Sequence, residues 1–406
     1  MKITDFGYNG EGVGHIDGKV CFVPYTIVGE EVEVDRVKET SSFIKCKVKE
    51  VVTLSEKREV APCPYFTKCG GCDFQHLGYQ DELALKKGIL SRHFAKLGYD
   101  GDIVVHPSDE PYGYRNKIKL FVGQHKLGLN RAGSDRVVEI DKCLLVDKEM
   151  NETLQKINNF VVSMKLGKSI ENVILRKEQG QTFVWFIFKR EVEVDFKWLS
   201  FILGDNHSIF VSVGKVEPVC VLGDEVFRVT EFDLNCEYSV DSFHQVNDNV
   251  YKKLYLAAVQ NIVGDNILNA YSGGGVLSGL IAKSGKNVYG VELGSAEHEA
   301  AERLKECNGL ATLTNIQGDC AKVLPELEVQ FDTILIDPPR AGCAKEVCEA
   351  LNSSKAKRVI YISCNPATLV RDLQQLSNYK LEKVELFDMF PRTANFETLV
   401  VLNLKP

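Results

Sequence analysis

Three cysteines stand in one Cys/Gly/Pro-rich loop, PCPYFTKCGGCDFQH, where Cys63, Cys69 and Cys72 have the spacing C-x5-C-x2-C. Three thiolates converging on one loop bind zinc or an iron–sulfur cluster, and either centre asks for a fourth ligand. By position the candidate is Cys143, in EIDKCLL. The chain has 13 cysteines. In a reducing compartment a disulfide framework is not expected, so a clustered set points to metal ligation or catalysis. Cys21, Cys220, Cys307 and Cys343 read as small core residues or incidental thiols.

A second kind of chemistry is marked by a Gly-rich turn. An apolar run ends in Asn269-Ala270-Tyr271-Ser272-Gly273-Gly274-Gly275, and glycines after a strand let the backbone approach a ligand closely. Glu292 closes the next strand-like run about twenty residues later, where a carboxylate can accept hydrogen bonds from both ribose hydroxyls of a nucleoside cofactor. The turn reads SGGGVLSG and fits the GxGxxG of a dinucleotide site poorly. Further motifs flank strand-like runs: SFHQVN (Ser242 to Asn247), DPPR (Asp337 to Arg340), SCNP (Ser363 to Pro366) and FPRTANFE, ending at Glu397. Alone each is ambiguous. A Pro-Pro turn is often structural, and a cysteine at a strand end is more often buried than reactive.

The elements that must position these residues fall into three segments. Residues 1–58 alternate apolar and polar positions around Gly-rich turns, as in CFVPYTIVGEEVEV, which indicates short antiparallel strands in a small closed barrel. Residues 59–240 hold the cysteine loop, a helical stretch near 81–98 expected to pack on the catalytic part, and strand-like runs such as KIKLFVG and TFVWFIFK. Residues 241–406 alternate strand and helix patterns, which indicates a doubly wound, largely parallel sheet with ligands beyond the carboxyl ends of its strands. The fold class is therefore α/β, with an N-terminal barrel and a β-rich central domain.

Length and charge bound the reading further. At 406 residues two or three domains are the ordinary expectation. No apolar run approaches a membrane span, and MKITDFGYNG has no signal pattern, so a cytoplasmic protein is expected. The net charge of −7 argues weakly against nucleic acid. Charge is local, however: Arg115 to Lys142 has seven Lys or Arg against three Asp or Glu.

Taken together the motifs carry a resemblance. The GxGxG and CFVPYTIVGEEVEV pattern resembles a TRAM domain, an OB-like RNA-binding barrel. Tyr271, Gly273 and Glu292 resemble the cofactor site of class I methyltransferases, which use S-adenosylmethionine. SFHQVN, DPPR, SCNP and FPRTANFE resemble the RNA uracil-5-methyltransferase family over the whole chain. The resemblance implies Cys364 as nucleophile on carbon 6 of uracil and Glu397 as the base that removes the carbon 5 proton. It implies cofactor contacts from Gln245 and Asp319, and for Asp337 either a cofactor contact or the ordering of the pyrimidine edge. It also implies a [4Fe–4S] cluster on Cys63, Cys69, Cys72 and Cys143, with a structural zinc as the alternative. The cysteine spacing is not the C-x3-C-x2-C of radical S-adenosylmethionine enzymes.

Two positions depart from the family pattern. Asn269 replaces an acidic residue, and Asn395 replaces a histidine two residues before Glu397. The expected substrate is ribosomal RNA of the 23S type, because the barrel and cysteine loop together tilt towards that branch; transfer RNA is the alternative. Arg115, Lys117 and Phe243 are the candidate RNA contacts, the target base being turned out of its stack to reach Cys364. A monomer is the default expectation. A cytosine-5 methyltransferase is disfavoured by DPPR and the terminal Glu, and an adenine amino-methyltransferase by Arg340 where an aromatic would stack. An electron-transfer or RNA-binding protein with a vestigial catalytic domain is disfavoured by the intact Cys364 and Glu397 pair.

Overall fold

Two strands of the C-terminal part, Thr333–Ile336 (TILI) and Arg358–Ser363 (RVIYIS), bury nearly every side chain. Strands of that composition must be covered on both faces, which is how a parallel sheet between helices is built. The computed structural model, describing residues 1–406, has that arrangement. Its largest sheet holds eight strands in the order Leu313–Gln317, Asn287–Glu292, Asn266–Ala270, Thr333–Ile336, Arg358–Ser363, Glu397–Leu404, Tyr379–Phe387 and Ile103–His106. The first five are parallel, and Glu397–Leu404 is antiparallel to both neighbours. Successive side chains serve opposite faces. Leu268, Ile334 and Val359 join one apolar cluster; Ile267, Leu335 and Ile360 join the other.

From Asn266–Ala270 the chain moves outward in one direction through Asn287–Glu292 and Leu313–Gln317, then returns to Thr333–Ile336 on the other side. The crevice between those two central strands is the topological switch point, the ordinary ligand position of such sheets. The far edge is completed from a distant part of the chain. Ile103–His106 pairs in parallel with Tyr379–Phe387, and the helix Tyr79–Ala95 buries Leu85, Ile89, Leu90 and Phe94 in the first cluster.

A seven-stranded sheet spans Lys117–Val122 to Val219–Leu222. It is covered by the helix Lys148–Ser163, which buries Met150, Leu154, Ile157 and Phe160 and is capped by Asp147, whose carboxylate accepts the Met150 N–H at 2.8 Å. Alternation along Phe227–Glu231 and Leu234–Tyr238 packs this hairpin against the second cluster of the large sheet. The N-terminal sheet has five strands around Ile3, Cys21, Val23, Val32, Ile44 and Cys46. One of its pairings, Lys19–Val23 with Phe43–Thr53, is parallel; period-2 alternation marks strands but not the direction of their partners. No helix is long and apolar enough to cross a membrane.

Candidate active site

Parallel strands end on one rim, and the motif residues collect there. Tyr271 follows Asn266–Ala270, Glu292 ends Asn287–Glu292, Asp337 follows Thr333–Ile336, and Cys364 follows Arg358–Ser363. Glu397 starts a strand that runs the opposite way, which brings it to the same rim. A single cavity of about 610 Å³ is lined by Gln245, Tyr271, Gly273, Glu292, Asp319, Asp337, Cys364 and Glu397, with Phe243 at its edge. That volume suits a nucleoside-sized ligand together with a base.

Cys364 is held in a tight strand-to-helix junction. The Ser363 hydroxyl donates to the Asn365 carbonyl at 3.2 Å and accepts the Asn365 N–H at 3.1 Å. Asn365 then caps the helix Pro366–Gln375, its Oδ1 accepting the Ala367 N–H, with Pro366 in the first turn where a missing N–H costs nothing. Burial pushes the Cys364 thiol up to about 11, and the nearby charges of Glu397 and Asp337 add to this, while Arg340 pulls it back towards ionisation. Burial likewise pushes Asp337 up to about 7. Glu397 lies well above the carboxylate range because of burial first and the Asp337 charge second, with Arg340 opposing. Each carboxyl is thus biased towards its protonated form, and the charge of Asp337 acts against ionisation of Glu397.

The opposite wall suits a nucleoside cofactor. Each oxygen of Glu292 accepts one backbone N–H, from Gly273 and from Gly294, both at 2.8 Å. This fixes the carboxylate and leaves lone pairs for ribose hydroxyls. Gly273 has φ +54, a left-handed conformation that glycine adopts without strain, and it lines the cavity. Asp319 caps the next short helix, its carboxylate accepting the Ala321 N–H at 3.0 Å, and lines the cavity. Asn269 is turned away from it: buried, it donates to the Ser278 hydroxyl at 2.8 Å. Asn395 is exposed and does not line the cavity either.

The four candidate metal ligands also meet. Cys63, Cys69, Cys72 and Cys143 line one cavity of about 220 Å³ with Tyr65, Phe66, Ile118 and Ile140. The Gly71 N–H reaches Cys69 Sγ at 3.4 Å, Gln75 lies beside Cys72, and backbone donors of Leu145 and Val146 face Cys143. Such donors stabilise metal-bound thiolates. Burial raises the Cys69, Cys72 and Cys143 thiols, and neighbouring thiols of the set add to it. The donor set and its surroundings fit a metal centre. Arg115 borders this second cavity, its Nε donating to the Lys117 carbonyl at 2.8 Å. Burial lowers Lys117, which is half-buried close to Arg176. Arg115 and Asn116 pair with the segment 245–247 that follows Phe243, the Asn116 N–H donating to the Val246 carbonyl at 3.1 Å, and Phe243 itself is exposed at the mouth of the catalytic cavity.

Three residues of the catalytic cavity were not marked as functional by their motifs. Arg340 lies beside Cys364 and Glu397. Tyr255 faces Asp337, Glu231 and Glu397. His244 sits between Glu231, at 2.8 Å from Nε2, and Glu178, at 3.2 Å from Nδ1. Burial alone would lower His244, but the two carboxylates outweigh it and hold it up at about 9. The imidazolium therefore pins the segment that carries Phe243 and Gln245 on either side. The aromatic at Tyr255 lies in a helical pattern that reads as core, and no local signal identifies His244.

Comparison with known proteins places this geometry. The TRAM domain description matches residues 1–44, and tRNA (Uracil-5-)-methyltransferase matches residues 323–405. The chain is 31% identical to an uncharacterized RNA methyltransferase of Halalkalibacterium halodurans, covering 100% of this chain and 96% of that one. One from Listeria monocytogenes is also 31% identical, over 100% and 97%. Among solved structures it is similar to the Pyrococcus abyssi tRNA (uracil-54, C5)-methyltransferase in complex with S-adenosyl-L-homocysteine. That match has TM-score 0.83 and 27% identity, covering 99% of each chain. The chain belongs to the S-adenosylmethionine-dependent RNA (uracil-5-)-methyltransferase family.

Proposed function

We propose that the protein methylates carbon 5 of one specific uridine through a covalent Cys364–uracil intermediate, with 23S ribosomal RNA as the substrate. The observation that carries the chemistry is the convergence of Cys364, Asp337, Arg340 and Glu397 on one cavity whose other wall is Tyr271, Gly273 and Glu292; the ribosomal substrate rests on the resemblance carried by the barrel and the cysteine loop together. S-adenosylmethionine on that wall, contacted also by Gln245 and Asp319, supplies an electrophilic methyl group. Cys364 adds as thiolate to carbon 6, and the displaced π electrons make carbon 5 nucleophilic. Arg340 favours the thiolate, and Asp337 orders the pyrimidine edge. Once carbon 5 carries both a proton and the methyl group, Glu397 takes the proton, the double bond re-forms and the carbon–sulfur bond breaks. Phe243, exposed at the mouth, is placed to stack on a displaced base, while Arg115 and Lys117 serve the RNA backbone.

Residues 1–58 act in this scheme as the RNA-binding barrel and 241–406 as the catalytic domain of a cytoplasmic monomer, while 59–240 supply the central domain and also lend the catalytic sheet the helix Tyr79–Ala95, the strand Ile103–His106 and the hairpin 227–238. The four cysteines would hold a [4Fe–4S] cluster. Metal analysis of the purified protein tests this, iron with inorganic sulfide supporting the cluster and zinc alone rejecting it.

A second substrate reading, transfer RNA, is favoured by the Pyrococcus abyssi relative, whose match runs end to end through the barrel and the cysteine loop. Methylating unmodified 23S rRNA and tRNA separately, then digesting to nucleosides, decides between them. 5-Methyluridine from rRNA, approaching one per molecule, supports the proposal. The same product from tRNA alone moves the substrate, and 5-methylcytidine from either rejects the base.

A further inference from the structure

The methylation is not a redox reaction, yet the cysteine loop is tied directly to the segment that ends in Glu397. Asp73 follows Cys72, and its Oδ2 accepts the Ala394 N–H at 2.8 Å. Backbone N–H groups of Asp73 and Phe74 both donate to the Arg392 carbonyl, at 2.8 and 3.1 Å. The Arg392 guanidinium donates to the Leu77 carbonyl at 2.9 Å, and its backbone N–H to Glu82 at 2.7 Å. Residues 73–82 thus wrap 392–394, three residues before Glu397. Arg392 has φ +68, a left-handed conformation that a residue with a side chain keeps only when its surroundings impose it. The start of the segment 388–397 is held by buried Lys86, which lies between Asp388 at 2.6 Å and Glu82 at 2.8 Å, the same Glu82 oxygen that accepts the Arg392 N–H.

We propose that Asp73 is a positioning residue through which the state of the four-cysteine centre controls the placement of Glu397. The inference rests on the reading of Glu397 as the base and of Cys63, Cys69, Cys72 and Cys143 as metal ligands. With the centre filled, the loop from Cys63 to Cys72 is fixed and Asp73 holds Ala394. With it emptied, the loop loses its common attachment, Ala394 is released, and the Glu397 carboxylate moves off the carbon 5 proton. Addition of Cys364, which stands on a different strand, continues; elimination slows.

The test compares the parent protein, Asp73→Ala and Asp73→Asn, the last retaining an oxygen to accept from Ala394. On ordinary uridine RNA with S-adenosylmethionine, Asp73→Ala is expected to turn over about 100-fold more slowly, as for a catalytic group misplaced by an ångström, and to accumulate a denaturation-resistant methylated adduct. Asp73→Asn is expected to recover most of the loss. Hydrogen exchange in residues 388–397 is expected to quicken about tenfold in Asp73→Ala and in parent protein stripped of metal by oxidation and chelation, with no further gain when the variant is stripped. Unchanged exchange on stripping the parent, or normal release by Asp73→Ala, overturns the coupling. RNA containing 5-fluorouridine separates the two levels, because trapping on it needs no proton removal. If the parent fails to trap, the covalent reading falls; if parent and variant both trap and release from ordinary uridine is alike, the coupling alone falls.

Discussion

Asn365, the neighbour of Cys364, donates from Nδ2 to the Arg340 carbonyl at 3.1 Å, and Thr368 donates to the same oxygen at 3.2 Å. The SCNP and DPPR loops are thereby locked to each other, and the Arg340 guanidinium is delivered to Cys364. A nucleophile whose burial pushes it up to about 11 needs such a cation if it is to react near neutrality.

Arg340→Met is expected to raise the pH at which Cys364 is half alkylated, because the cation that favours its thiolate is gone. Methylation should fall about 100-fold, an oriented charge contact being worth roughly 3 kcal/mol at a reacting group. Peptide-resolved iodoacetamide labelling across pH, read at Cys364 among the other cysteines, checks the first statement. An unshifted profile would reject the role assigned to Arg340.

The acid pair sets a pH dependence. Glu397 is held well above its ordinary range and Asp337 near 7, so the base form of the pair grows as pH rises. Decay of the methylated adduct, followed by rapid quench, should accelerate from pH 6 to 9. In Asp337→Asn a neighbouring negative charge is absent, and the limb should move to lower pH even though the rate itself falls. A flat profile above pH 5 would contradict the assignment.

The same shifts act on stability. Folding favours the protonated forms of both acids, so their contribution is full below the ordinary carboxylate range and is lost as pH rises through the raised values, about 7 for Asp337. Glu397→Gln should therefore melt roughly 2–4 °C above the parent at pH 8, with the difference closing as pH falls towards 4. Calorimetric scans at both pH values check it.

Glu292→Gln should weaken S-adenosylhomocysteine binding by about tenfold or more, because one amide nitrogen would face a backbone N–H of Gly273 or Gly294 that now donates to carboxylate. Titration calorimetry measures it, and an unchanged affinity would remove Glu292 from the cofactor wall.

Asn395→Ala should alter single-turnover methylation by less than about twofold, as for an exposed side chain outside the cavity. A larger loss would show that this position serves proton transfer as the family histidine is expected to do.

Much of the site was legible because its residues are local to strand ends. Cys364, Asp337 and Glu292 could be placed on one rim once the alternating strand and helix pattern was read, since parallel strands end together. Cys63, Cys69 and Cys72 were legible from their spacing in one loop, whereas the approach of Cys143 depends on the fold. Other relationships are long-range and have no local signature. The pairing of Ile103–His106 with Tyr379–Phe387 and the bond from Ala394 to Asp73 join segments hundreds of residues apart. Side-chain direction was also hidden. Asn269 and Asn395 look like changes in the chemistry when aligned by motif, yet one turns to Ser278 and the other to solvent. Arg340 reads in sequence only as the absence of an aromatic, whereas the fold sets it against the nucleophile.

Covalent catalysis by Cys364 is tested most directly by incubating the protein with S-adenosylmethionine and RNA carrying 5-fluorouridine, then denaturing. Fluorine at carbon 5 cannot be removed as a proton, so elimination is blocked and a stable protein–RNA adduct is expected in the parent protein and absent in Cys364→Ala. An adduct that survives in Cys364→Ala, or none in the parent with either rRNA or tRNA, would contradict the account.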